Sequence, residues 1–457
     1  MSRLLGMSRD TSGTTLRRRE QAPQERRTSL LPQIRWADAA VVGGIGAAGA
    51  FALSAGLLAL GARVMARLPL VPQMGIRQRP DLAVRAVFPD RVHLDESSES
   101  RRAGYLALRQ GGGGVHLRLG PVEGRPTPRT VARPVLARDT DAPLQVARTN
   151  VNGFFWAGTP WTAHGLPTED VQVDSPVGYM PAWLVRPDEA AGSAPGNADT
   201  WAIFVHGHGS TRGEALRSIP LLHRLGITTL AITYRNDAGG PASADSMYHL
   251  GSDEWEDTEA AIEYALANGA RRIVLLGFSM GGGIVLRTSV RSAHREAIAA
   301  LVLDSPAVDW QDILIYHATA LKAPRPMRRL ALWMMTSNRG ARIVRLHEPL
   351  ALAEMTPDFY GRTLRHPTLL FHALDDATVP PAPSRRLAAL LPDLVRFEPF
   401  EGASHTREWN RDPGRWERIL AEFLVDTLDL GVDVGALELP LRDPASPPLP
   451  QSVGTRV

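Results

Sequence analysis

From Val171 onward the chain alternates two hydrophobic patterns: short unbroken apolar runs, and longer segments with apolar positions every three or four residues. The first suits strands buried on both faces and the second suits amphipathic helices. The pattern predicts an opening hairpin (Val171 to Val173, Ala182 to Val185), a strand at 201–205 and a helix from Glu214 to Leu225. A strand from Thr228 to Tyr234, a helix from Asp253 to Ala267, a strand at 272–276 running into a helix, and a strand from Ile298 to Asp304 follow. After an insertion at about 309–362 come a strand at 367–373, a helix from Ser384 to Leu391, a strand at 395–399 and a helix from Gly414 to Leu428. Repeated strand–helix units imply an α/β domain at 170–430. Its sheet is mostly parallel and doubly wound, and the insertion forms a helical cap.

The first third reads differently. Between Val84 and Trp161 short alternating runs are broken by turn residues every ten or so positions, which predicts a small β-rich domain at 68–165. Gly111 to Gly114 lack the strand-to-helix context of a phosphate loop and are read as a hairpin turn. No charged residue occurs from Ala39 to Ala62. A helix of about 24 residues reaches roughly 36 Å, enough for a ~30 Å hydrocarbon layer. The expectation is a transmembrane helix at 37–66, with a soluble helix as the rival. Arg17, Arg18, Arg19, Arg26, Arg27 and Arg35 precede it, so the positive-inside rule keeps the tail in the cytoplasm. The chain would then be a single-pass, uncleaved protein of the cell membrane with its main domain outside the cytoplasm. Residues 1–35, basic and proline-dotted, and residues 431–457 are expected to be disordered tails.

Composition changes the picture only slightly. With 457 residues and 44% hydrophobic content the chain has ample core for more than one domain. The net charge of +3 is small, and basic residues cluster in the N-terminal tail, which argues against nucleic acid as a partner. Absence of cysteine excludes disulfides, thiolate catalysis and cysteine-ligated metal.

Candidate chemistry centres on Gly277-Phe278-Ser279-Met280-Gly281, a G-x-S-x-G segment between an apolar strand and a helix. Such a turn forces strained backbone at the serine, and small neighbours let a helix and a substrate crowd against it. An acyl-transfer serine also needs a base, a carboxylate behind that base, and donors for the oxyanion. Upstream, the strand at 201–205 ends in His206-Gly207-His208-Gly209, and the backbone N–H groups of His208 and Met280 are the expected oxyanion donors. Downstream, Asp375 and Asp376 follow a strand. Asp376 is preferred, four residues after His372 and three before Val379, with Asp375 as the fallback that caps the turn. His405 follows Gly402-Ala403-Ser404 behind the last strand and is the candidate base. His206 and His372 also end strands and are read as structural, with ring nitrogens bonded to nearby loop backbone.

These motifs resemble the α/β-hydrolase superfamily, and within it the bacterial serine-aminopeptidase-like and acyl-hydrolase branch. Ile232 to Asp237, Glu254 to Asp257, Leu303 to Pro306 and Gly402 to Asn410 resemble segments of uncharacterised actinobacterial membrane-associated hydrolases. The likeness covers about 170–430 firmly and 68–170 loosely. It implies an α/β-hydrolase fold and a Ser279–Asp376–His405 triad, although Ala373 stands where the family often has glycine. The Tyr234-to-Asp237 and Glu254-Trp255 segments are read as loop anchors and helix N-terminal charge.

The expected function is a membrane-anchored serine hydrolase acting on a small-molecule ester, a thioester or a peptide, without metal or organic cofactor. The alternative is an inactive binding or scaffold protein that keeps the fold. Apolar cap residues, among them Trp310, Ile313, Trp333, Met334 and Met335, either wall an acyl pocket or pack the cap on the sheet.

Overall fold

The computed structural model of the chain describes residues 54–72, 82–187, 197 and 199–440. Helix α1 (54–67) comes first. Its Ala62 and Ala66, one turn apart, are fully buried in the main apolar core. Gly61 lies against Met327, so the absence of a large side chain allows close approach to the cap. Leu57, Leu60, Val64 and Leu68 lie on the opposite face and are exposed. This corrects only the last turns of the expected span at 37–66, which pack on protein because small residues present too little bulk to keep neighbours away. Among the described residues no helix is long and apolar enough to cross a membrane. Residues 37–53 of that expectation, and the tail at 1–35, lie outside the described residues.

A seven-stranded antiparallel sheet follows, made of β1 (Leu82–Val87), β2 (Arg91–Asp95), β3 (Leu106–Gln110), β4 (Val115–Leu119), β5 (Gly124–Thr127), β6 (Thr130–Arg138) and β7 (Arg148–Asn152). Its order is β2-β1-β7-β3-β4-β6-β5, and β2 also pairs with β6, which closes the strands into a small barrel. Val84, Leu94, Leu106, Leu108, Leu117 and Leu119 fill it as a core of their own. Gly111, Gly112 and Gly113 take positive φ at the tip between the paired β3 and β4, a backbone that glycine adopts without penalty. A short helix, α2 (Pro160–His164), leads away from the barrel.

The second sheet contains β8 (Glu169–Ser175), β9 (Gly178–Val185), β10 (Thr200–Val205), β11 (Thr228–Ile232), β12 (Arg272–Phe278), β13 (Ile298–Asp304), β14 (Thr368–Ala373) and β15 (Val395–Phe400). Its order is β8-β9-β11-β10-β12-β13-β14-β15. β8 and β9 pair antiparallel, and β10 to β15 run parallel. Every residue of β10, β11 and β14 is buried, which is why these runs show no alternation. The helices α3 (Ile219–Arg224), α4 (Trp255–Ala267), α5 (Met280–Arg291), α10 (Ala382–Leu390), the short α11 (Glu408–Arg411) and α12 (Pro413–Leu428) connect or follow the strands. The expected helix from Glu214 to Leu225 is broken: a 3-10 segment at Arg212–Arg217 precedes α3. Pro220 explains the break, since it lacks an N–H and its ring crowds the carbonyl four residues back.

The insertion forms α6 (Trp310–Ala320), α7 (Arg325–Thr336), α8 (Asn338–Val344) and α9 (Pro357–Thr363). Trp310, Ile313, Met334 and Met335 are buried in the main core, so these residues pack the cap on the sheet, while Tyr316 and Trp333 stay partly exposed. At the C-terminal side the expected tail at 431–457 needs correction over 431–440. A 3-10 turn at Val434–Ala436 and partly buried Val432, Val434, Leu437 and Leu439 pack against the second core. Residues 441–457 lie outside the described residues.

Candidate active site

β12 delivers Ser279 and α5 leaves from it, with φ 54° and ψ −118° at the serine. That left-handed backbone is costly for a residue with a Cβ and persists only where neighbours enforce it. Here they do. The Ser279 N–H donates to Asp304 O at 2.9 Å, and the Ala307 N–H donates to Ser279 O at 2.9 Å. A Cβ on Gly277 would lie 2.4 Å from Gly281 O, and one on Gly281 would lie 2.1 Å from Val205 O. Glycine is required at both positions.

Three loops at the carboxyl ends of the strands converge on this turn. Ser279 Oγ is 2.7 Å from His405 Nε2, and His405 Nδ1 is 2.7 Å from Asp376 Oδ2. Asp376 Oδ1 accepts the N–H groups of Thr378 at 2.8 Å and Val379 at 2.9 Å. Burial alone would raise the Asp376 pKa. Hydrogen bonding from His372 and His405 and the Val379 amide outweighs it and holds the carboxyl well below the usual range. An ionised carboxylate at Nδ1 fixes the proton there and leaves the Nε2 lone pair facing the serine hydroxyl. Asp375 does something else, accepting the Gly402 N–H at 3.3 Å at the start of the His405 loop. Ser279 is partly exposed and the His405 side chain is 19% exposed, so the hydroxyl can meet a substrate.

Met280 opens α5, so its N–H is one of the helix's first donors without an intrahelical acceptor. The turn carrying His208 passes beside the serine, since a Cβ on Gly207 would lie 3.1 Å from Ser279 Cβ. The His208 ring takes no part: its Nε2 is 2.9 Å from Pro69 O, and its edge meets Tyr248 with ring centres 4.9 Å apart. Burial lowers the pKa of this imidazole. His372 fits its structural reading by half: Nε2 is 3.0 Å from Val379 O, but Nδ1 is 2.9 Å from the Ser384 side-chain Oγ and Nε2 also lies 3.6 Å from Asp376 Oδ2. His206 fits it by half, with Nδ1 2.9 Å from Gly207 O but Nε2 2.8 Å from the Asp237 carboxylate.

Two buried acids that sequence reasoning left without a role support the site. Glu214 Oε2 accepts the Gly207 N–H at 3.1 Å, and its Oε1 pairs with Arg217 at 3.0 Å. Glu408 Oε1 accepts from Ser305 Oγ at 2.6 Å and from the Ala373 N–H at 2.7 Å. It thereby joins three segments, the end of β13, the end of β14 and the His405 loop. Its other oxygen and Asp304 Oδ1 are buried without a hydrogen-bond partner among the described residues. Burial, then Asp304, pushes the Glu408 pKa far up, and burial pushes Asp304 up. Glu408 stood in the motif quoted from the sequence, but a helix-start glutamate there carries no signal of burial.

Asp237 anchors its loop as expected of its segment, whereas Glu254 departs from the expected helix N-terminal charge and anchors a loop instead. Asp237 accepts the Tyr234 N–H at 2.9 Å and the Tyr248 hydroxyl at 2.8 Å. Glu254 accepts the N–H groups of His249 and Gly251 rather than acting through helix charge. The barrel also reaches the site. Asn410 Nδ2 donates to Tyr105 O and Gly153 O at 3.1 Å each, just beyond His405. A cleft of about 900 Å³ lies between the barrel and the loop after β10, and none of Ser279, Asp376 and His405 lines it.

Residues 83–152 match a family described as a domain of unknown function. An uncharacterized protein of Mycobacterium tuberculosis is 25% identical over 267 residues, covering 57% of this chain and 81% of that one. Among solved structures, an esterase of Pyrococcus furiosus is 19% identical with a TM-score of 0.44, covering 59% of this chain and 95% of its own. A puromycin-hydrolyzing peptidase of Mycobacterium tuberculosis is 20% identical with a TM-score of 0.46, covering 75% of this chain and 52% of its own. The profile of the alpha/beta hydrolase family matches residues 202–451, more than half of the chain, and this protein belongs to that family.

Proposed function

We propose that this hydrolase is a serine hydrolase that cleaves an ester, thioester or peptide bond through an acyl-enzyme. The observation that carries the reading is His405, with one ring nitrogen 2.7 Å from Ser279 Oγ and the other 2.7 Å from Asp376 Oδ2. His405 takes the serine proton as Oγ attacks the carbonyl carbon, then returns it to the leaving group. Asp376 holds the tautomer and offsets the imidazolium charge. The N–H groups of His208 and Met280 stabilise the tetrahedral oxyanion. Water then attacks the acyl-serine by the same proton route in reverse, and no metal or cofactor enters these steps.

A fluorophosphonate probe tests this directly. Wild-type protein should be labelled and Ser279→Ala should not; folded wild-type protein that resists labelling would instead be the inactive scaffold. Nitrophenyl esters of graded length beside aminoacyl amides then separate esterase from peptidase activity. The reading also places the enzyme at the cell membrane through the uncharged stretch before Leu57, with the hydrolase domain outside the cytoplasm. Retention of the full chain in carbonate-washed membranes supports that placement, and release into the supernatant removes it.

A further inference from the structure

Away from Ser279, two histidines and two aspartates converge where the cap meets the loop between β11 and α4. Asp245, His249 and Asp253 come from that loop, and His347 follows α8. His249 Nε2 lies 2.8 Å from Asp245 Oδ2, and its Nδ1 lies 3.1 Å from Asp253 Oδ2. His347 mirrors this, with Nδ1 2.9 Å from Asp245 Oδ2 and Nε2 3.0 Å from Asp253 Oδ2. The two rings face each other with centres 4.3 Å apart. The His249 side chain is 1% exposed and that of Asp245 is 7% exposed.

Proton counting shows what this arrangement lacks. Four ring nitrogens face two carboxylate oxygens that supply no proton, while two neutral imidazoles supply only one N–H each. Two nitrogen lone pairs therefore point at carboxylate oxygens. The backbone N–H of His347 also reaches Asp245 Oδ2, at 3.0 Å. Moreover, His249 Nδ1 and Asp253 Oδ2 are buried without a well-formed hydrogen bond among the described residues. Either both stacked rings carry an extra proton, two like charges face to face, or a cation sits among the donors.

We propose that Asp245 Oδ2, His249 Nε2 and His347 Nδ1 bind a divalent cation of the zinc class. These three donors lie within 4.8 Å of one another. Tetrahedral bonds of about 2 Å need donors roughly 3.3 Å apart, so the set opens by about half an ångström to admit the ion. Asp253 then accepts the N–H on the far side of each ring, the outer carboxylate that orients ligating histidines. A depression of about 510 Å³, lined by Asp245 and His347, gives access for the ion and a water as fourth ligand. Arg67, Arg342 and Arg345 rim it, so directed bonds rather than negative potential must hold the ion. Two imidazoles and one carboxylate suit zinc in that setting and disfavour calcium or magnesium. The ion clasps the cap to a loop whose Tyr248 packs on His208, so it braces the oxyanion turn from behind.

Tag-free full-length protein, stripped with chelator and titrated with Co²⁺, tests the site through the visible bands of four-coordinate cobalt. We expect one equivalent to bind with such bands, and Zn²⁺ to displace it and raise the melting temperature. His347→Gln, at a 34% exposed side chain, should fold and weaken binding at least about tenfold. His294→Gln, in the surface Glu259–Glu263–His294 cluster, should change nothing. Failure of the folded wild-type protein to take up one equivalent would overturn the proposal. So would equal uptake by His347→Gln, or nitrogen NMR showing both rings doubly protonated in metal-free protein at neutral pH.

Discussion

The Arg217 guanidinium donates to the backbone carbonyl of Thr406, the residue after His405, and pairs with Glu214, which grips the Gly207 N–H. One buried ion pair thus sets the spacing between the turn that carries His208 and the loop that carries His405. Both side chains are almost fully buried, so desolvation offsets much of their attraction. Their consequence is positional.

Arg217→Met should lower kcat about 10- to 100-fold with little change in KM, because loop displacement spoils attack geometry rather than substrate binding. It should also cost about 3–5 kcal/mol of stability by leaving Glu214 buried and unpaired. Adding Glu214→Gln should restore much of the stability but not the rate. Steady-state kinetics and denaturant titration check both, and rate recovery in the double variant would contradict the positional role.

Asp376→Asn keeps the shape of the site but removes the charge that holds the Nδ1 proton. The amide can donate to Nδ1, which turns the tautomer so that Nε2 no longer accepts from Ser279. We expect kcat to fall about 10³- to 10⁴-fold with the fold intact, measured by ester hydrolysis and the rate of probe labelling.

The pair Glu408–Asp304 makes a pH prediction. The folded state holds a proton that Glu408 releases in the unfolded chain above about pH 4.3. Folded protein binds more protons, so this contribution is full below that pH and declines as pH rises toward neutrality. Glu408→Gln removes the titrating group while keeping an acceptor for Ser305 and Ala373. Between pH 5 and pH 8 the wild-type melting temperature should drop by more than that of the variant. Parallel curves would show that Glu408 does not keep its proton in the fold.

Glycine substitutions should separate crowding from backbone preference. Gly281→Ala drives a Cβ into Val205 O and should cost about 3 kcal/mol or more, with loss of labelling. Gly112→Ala, at φ 69° with open space around it, should cost about 1–2 kcal/mol for its left-handed backbone alone. Denaturant midpoints of the two variants give the comparison.

Much of the fold was legible in the chain because its signals are local. Unbroken runs such as Thr200 to Val205 mark strands covered on both faces, and glycines around Ser279 mark a turn with no room for a Cβ. Pro220 also carried a local signal, and the helix expected across it ignored that signal. Other features left no such trace. Ala62 and Ala66 read as membrane-compatible because alanine suits lipid and a snug protein contact equally. Asp245 and His347 meet across about a hundred residues with no spacing rule to pair them.

By itself the sequence determined the strand–helix alternation, the elbow at Ser279 and the order in which Asp376 and His405 follow it. Hydrophobic period and turn chemistry act over a few residues, so each can be read where it stands. Only the tertiary structure decided that Arg217 and Glu408 lock the loops around Ser279, Asp376 and His405, that the barrel buttresses the segment after His405, and that α1 packs under the cap. Burial and partner choice depend on which distant segments the parallel sheet brings to one edge, and no residue type or short spacing encodes that meeting.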